Sequence, residues 1–105
     1  LSAPEHLSPA ARLVWDQVVA GYDAGYGDPV RVARIEGPDL EAYCVQVARM
    51  RDAQARIDAE GLVVPDEKGR PVPHPAIAIE KQAQAEVRAW GGRFRPRAAS
   101  REVNP

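Results

Sequence analysis

Residues 39–60 read DLEAYCVQVARMRDAQARIDAE, and residues 61–75 continue GLVVPDEKGRPVPHP. In the first stretch Leu40, Tyr43, Val47, Met50, Gln54 and Ile57 recur at alternating three- and four-residue spacing. That is the seam of a long helix laid against another helix. Asp39 and Glu41 fall in its first turn, where the helix dipole favours acid. Gly61 stands just past its end, a common stop. The spacing therefore predicts helix two over residues 39–60, roughly 33 Å long at 1.5 Å per residue. Gln54 is the polar member of the seam and is expected near its solvent edge.

The second stretch reads as a β-hairpin over residues 62–72. Leu62–Val64 is one strand, Asp66–Gly69 the turn and Arg70–Val72 the return. Pro65, Pro71 and Pro73 carry no backbone N–H, so these are edge strands. A lone two-stranded hairpin is marginal in water and needs something to pack on, either its own helices or another subunit.

Working outward, Pro75 opens helix three, residues 75–90, at the favoured first-turn position. Ala76, Ile79, Ala83, Val87 and Trp90 form its apolar stripe, and the alanines suit a close antiparallel approach to helix two. Gly91 and Gly92 are expected to stop it. Residues 91–105 then form a basic tail, or a short C-terminal helix starting at Pro96. Toward the N-terminus, Ser8 and Pro9 signal the start of helix one, residues 9–23. Its stripe is Ala11, Val14, Trp15, Val18 and Tyr22, with Trp15 a core residue. Position 11 is Ala, so no capping box closes. The following GYDAGYGDP, residues 21–29, lacks Gly-Lys-Ser/Thr and a preceding strand, so it is no phosphate loop. Residues 30–36 read equally as strand or helical turn.

The expected fold is mainly α. A long helical hairpin carries a short β-hairpin between its two helices, with an N-terminal helix and a short C-terminal helix added. A chain of 105 residues fits a single domain, residues 1–105. Aromatics make up only 6%, and the apolar share rests on Ala and Val, which suits thin helix-on-helix packing. One cysteine, Cys44, allows no internal disulfide and fits a reducing compartment. No apolar run approaches the ~20 residues of a membrane span, and no stretch has the pattern of a signal peptide. The chain opens on Leu1 rather than Met, as expected of a piece of a longer parent.

Little catalytic chemistry is present. His6, His74 and Cys44 show no metal-ligand spacing, and no serine or cysteine sits in a nucleophile motif. Asp52, Asp58 and Glu80 are carboxylates expected on any solvated helix face. The reading is therefore a non-enzyme, with no catalytic residues, no metal and no cofactor. Net charge is −1, but its distribution is uneven. Residues 1–30 set a single Arg12 against Glu5, Asp16, Asp23 and Asp28, whereas Arg93, Arg95, Arg97 and Arg101 occur between 91 and 101 with no acid among them. Such a segment suits either an anion-binding patch or a solvated tail. Arginines contact phosphates bidentately, and Phe94 between them could stack or insert. The candidate DNA contacts are thus Arg93, Arg95, Arg97 and Arg101, with Lys81 and Arg88 on helix three as extensions. Arg49, Arg51 and Arg56 on helix two read as solvated or intersubunit charges.

With these elements placed, the chain resembles the P27-type small terminase subunits of tailed bacteriophages and prophages. The resemblance rests on LSPAARLVWDQVV from Leu7, DLEAYCVQVARMRDAQARIDAEGLVV from Asp39, and a hairpin leading into HPAIAIEKQAQAEVRAWGGRFRP from His74. Together these cover most of the chain, residues 24–37 matching least. Three departures stand out. His74 replaces the usual Asn, Arg95 stands where Thr or Ser would cap the last helix, and RPRAASRE is shifted from the usual Pro-Ser-x-Arg. The resemblance implies a DNA-packaging factor in the cytoplasm of the infected bacterial host. Its implied partners are viral double-stranded DNA and the large terminase subunit, which carries the ATPase and nuclease. It also implies a homo-oligomeric ring, expected to hold more than four subunits, and no membrane. Two readings compete, a small helical transcription regulator and a virion structural adaptor without nucleic-acid binding. Helix two is too long for a short helix-turn-helix, while a net charge of −1 suits the adaptor.

Overall fold

The computed structural model of the chain describes residues 2–21 and 37–94, the last four as helix backbone. In order they form α1 (Pro9–Gly21), α2 (Gly37–Glu60), β1 (Val63–Pro65), β2 (Pro71–Pro73) and α3 (Ala76–Phe94). The fold is mainly helical, with a two-stranded antiparallel hairpin between α2 and α3. Among the described residues no helix is long and apolar enough to cross a membrane.

Each helix start has a local cause. Ser8 Oγ accepts the Ala11 N–H at 3.1 Å, the expected cap of α1, with Pro9 next in line. Arg12 then ties the preceding turn down by donating to the carbonyls of Leu7 (3.3 Å) and Glu5 (2.7 Å). α2 begins at Gly37, two residues before the expected start, and takes Pro38 into its first turn. It ends at Gly61, whose φ of +90° is the left-handed conformation glycine adopts without penalty. The Gly61 N–H donates to the Ile57 carbonyl at 2.7 Å and closes the last turn.

The buried side of α2 differs from the single expected seam. Leu40, Cys44 and Val47 are buried in its first half, against Leu7, Ala11, Val14, Trp15 and Val18. Ala53 and Ile57 are buried in its second half, against Ala76 of α3, with Ile77 packed alongside. At 100° per residue these two faces are roughly 120° apart, and the expected seam runs between them. Tyr43, Met50 and Gln54 are accordingly half-buried. Val87 and Trp90 pack on the first cluster and Ala76 on the second, so α3 runs antiparallel to α2.

Three expected boundaries and one expected core residue need correction. α3 does not stop at Gly91–Gly92 but continues to Phe94. A glycine in a helix costs only about 1 kcal/mol, and it stops a helix by turning left-handed. Among the described residues the left-handed glycines are Gly61 and Gly69 alone. Both strands lie one residue later than expected, which puts Pro65, Pro71 and Pro73 inside them. Ile79 is 51% exposed, off the edge of the α2 contact, where it lines a small cleft with Gln46 and Arg49. For α1 the predicted stripe is buried at Ala11, Val14, Trp15 and Val18. Tyr22, residues 30–36 and the fourth helix lie outside the described residues.

The register explains how a proline-rich hairpin forms. Val63 pairs with Pro73, Val64 with Val72 and Pro65 with Pro71. The flanking bonds, Asp66 N–H to Arg70 O and His74 N–H to Leu62 O, are both 2.8 Å. Antiparallel pairs alternate between hydrogen-bonded and non-bonded. The bonded positions are therefore 62/74, 64/72 and 66/70, and every proline sits at a non-bonded one. The missing N–H groups would all have pointed outward.

Candidate nucleic-acid interface and surrounding surfaces

α3 carries the described part of the predicted basic surface. Lys81 and Arg88 are both exposed, and seven residues put them on one face about 10 Å apart. Ala78, Gln82, Ala85 and Ala89 share that exposed face, while Glu80 and Glu86 lie to either side of it. Neither cation forms an ion pair among the described residues. Arg93 falls in the last turn of α3, so the helix extends into the basic segment instead of ending before it. Arg95, Arg97 and Arg101 lie outside the described residues.

The basic residues of α2 behave differently. Arg51 donates to Gln17 Oε1 on α1 at 3.2 Å, and Arg56 donates to Asp52 Oδ2 at 2.9 Å. Two of the three arginines read as solvated or intersubunit are thus held within their own chain. Arg49 is exposed and forms no hydrogen bond or ion pair among the described residues. It stands on the rim of a cleft of about 720 Å³ between the Ser8 turn and α2. Ala42, Val45 and Ala48 line the α2 side of this cleft and Leu7 the other. Its rim carboxylates are engaged, Glu41 by His6 Nε2 at 2.9 Å and Asp52 by Arg56. The cleft draws on residues 6–10 and 38–52, a separation that no sequence spacing marks.

His74 is the buried polar residue among those described, 8% exposed. Its Nδ1 accepts the Ala76 N–H at 2.9 Å, which caps α3. That contact leaves the ring proton on Nε2, which donates to Glu60 Oε1 at 2.7 Å. Asn caps a helix through its Oδ1, the atom at the same point along the side chain, so His74 fills the same role. It adds a link to the last residue of α2 and so clamps together the two helix ends that flank the hairpin.

The hairpin turn is equally constrained. Gly69 N–H reaches Asp66 O at 3.0 Å, and Gly69 has φ +82°. That is a type I turn followed by a left-handed residue. Asp66 Oδ1 accepts the Lys68 and Arg70 N–H groups, each at 2.8 Å, and its Oδ2 accepts from Arg70 Nε at 3.0 Å. The Arg70 amide, followed by that of Lys68, holds the Asp66 carboxyl below its ordinary value. Above this fixed turn the hairpin has two unlike faces. Val64 and Val72 are half-buried, whereas Val63, Pro65, Pro71 and Pro73 are all exposed.

Nucleophilic chemistry finds no home in these surroundings. Cys44 is fully buried, and burial, with Asp16 and Glu41 nearby, pushes its thiol up to about 12. A thiol so placed is an inert core group. No group of three His, Cys, Asp or Glu capable of holding a metal ion occurs among the described residues.

A family model described as phage terminase, small subunit, matches residues 11–102. The match takes in all three helices, the hairpin and the arginine-rich segment. No curated protein and no solved structure matches.

Proposed function

The chain belongs to the phage terminase small subunit family, and from that premise we propose that it is the DNA-recognition component of a genome-packaging motor. It assembles into a ring of more than four copies, holds viral DNA through the end of α3 and the arginines beyond it, and recruits or regulates the large subunit. It acts in the cytoplasm of the infected host and leaves ATP hydrolysis and strand cleavage to that partner. The observation that carries this reading is the placement of its cations. The match reaches through residue 102, so Arg93, Arg95, Arg97 and Arg101 belong to the matched segment. Lys81 and Arg88 extend the same helix with their charges uncommitted.

A chain of net charge −1 holds DNA only through a concentrated basic surface. A ring repeats each weak contact once per subunit, so avidity replaces net charge. Binding through phosphates falls steeply with salt, with a slope on the order of −0.9 per phosphate neutralised. Titration of labelled duplex at several salt concentrations tests the reading. Changing Arg93, Arg95 and Arg97 together to Ala lowers affinity and flattens the slope without changing oligomeric mass. Changing Arg49, Arg51 and Arg56 together leaves the slope unchanged. The opposite pattern would move the DNA surface to α2. Turnover of ATP or DNA above a mock preparation, abolished by a point substitution in this chain, would refute the non-enzymatic role.

A further inference from the structure

We propose that the outer face of the β-hairpin is the knob, and the cleft between the Ser8 turn and α2 the socket, of a contact between successive copies of this chain. The proposal rests on the reading of the protein as a homo-oligomer and assigns that assembly its surfaces. Val63, Pro65, Pro71 and Pro73 form an apolar platform with nothing of this chain over it, Val63 being 60% exposed and the adjoining Leu62 64%. The platform is rigid before it binds. The Asp66 turn fixes its tip, and His74 bridges its base to Glu60. A preorganised surface loses little freedom on docking. Strand addition is a poor use for it, because Pro71 and Pro73 leave the outer edge of β2 without donors at both positions. The hairpin therefore offers a face rather than an edge.

Charge selects the occupant. On the hairpin, Asp66 is taken up by Arg70, which leaves Glu67 as the uncommitted acid at the tip. In the cleft, Glu41 and Asp52 are taken up by His6 and Arg56, which leaves Arg49 as the uncommitted base. An apolar face with a free acid thus matches an apolar cleft with a free base. The two cannot meet within one molecule. Val45 in the cleft and Glu60 at the foot of the hairpin are fifteen residues apart along one straight helix, about 22 Å. Knob and socket at opposite ends of one rod make a head-to-tail contact, which closes into a ring or runs on as a filament.

Native mass spectrometry across a micromolar dilution series tests this on the full chain. Val63→Asp, Arg49→Glu and Glu67→Arg should each weaken assembly about tenfold or more, an interface effect of about 1.4 kcal/mol. The double variant Arg49→Glu/Glu67→Arg should return assembly to within about threefold of wild type. All three positions are exposed, and unchanged helical circular dichroism would confirm intact folding. If the single variants assemble as wild type does, this surface assignment is overturned while the homo-oligomer stands. If the wild-type chain is itself monomeric, the oligomer reading falls. If Val63→Asp keeps its mass but loses capture by purified large subunit, the platform belongs to that partner and the proposal is wrong.

Discussion

The two ends of α2 bury their surfaces in different ways. Around its first half, Leu40 and Cys44 are fully enclosed, and Trp15, Val14 and Val18 of α1 cover them with side chains of this same molecule. Around its second half the covering is thin. Ala53 and Ile57 meet Ala76, and the neighbouring hairpin exposes Leu62 and Val63 by more than half. What replaces apolar burial there is polar constraint, in the His74 bridge and the Asp66 turn. One end owes its order to solvent exclusion, the other to hydrogen bonds that hold an apolar face open.

The largest expected effect sharpens that contrast. Leu40→Ala removes a fully enclosed side chain and should cost about 2–5 kcal/mol, while Val63→Ala should change stability by less than about 0.5 kcal/mol. Urea midpoints at equal protein concentration measure both. Equal losses would break the distinction between the two ends.

A smaller effect probes the clamp. His74→Ala removes a buried helix cap and a hydrogen bond to a carboxylate, and should cost about 2 kcal/mol. His74→Asn restores the cap without the bridge and should recover about half of that. Thermal melts of the two variants decide it. A histidine that merely filled space would leave Asn no better than Ala.

The smallest effect is the acid response of the turn. The Asp66 carboxyl is held below its unfolded value of about 3.9. A depressed acid stabilises the fold above the unfolded value, and that contribution is lost as pH falls through the folded one. The Lys68 and Arg70 amide resonances should therefore shift together below about pH 4, and Asp66→Asn should abolish the shift.

Much of this was legible in the sequence, for identifiable reasons. Helical periodicity located all three helices, and Ser8-Pro9 and Pro75 marked two of their starts because caps are local chemistry. The α2 seam was only half legible. Two faces recruited by two partners average into one stripe when the sequence alone is read. The glycine pair after Trp90 misled because a stop depends on φ, which the residue type permits but does not require. The proline strands read one residue early because the register that makes the prolines harmless is set by pairing. For the interface, composition pointed to the arginine segment. The sequence could not reveal that Arg51 and Arg56 are tied to Gln17 and Asp52, nor that Arg49 borders a cleft. The His74–Glu60 bridge left one signal, a histidine at the position usually held by a capping asparagine.

Hydrogen exchange of the assembled chain, with and without duplex DNA, tests the division of labour between these regions most directly. DNA should slow exchange over residues 81–101 and leave residues 42–49 and 61–74 as they are without it. Slowing confined to residues 61–74, with residues 81–101 unaffected, would contradict the account and make the hairpin the DNA-binding element.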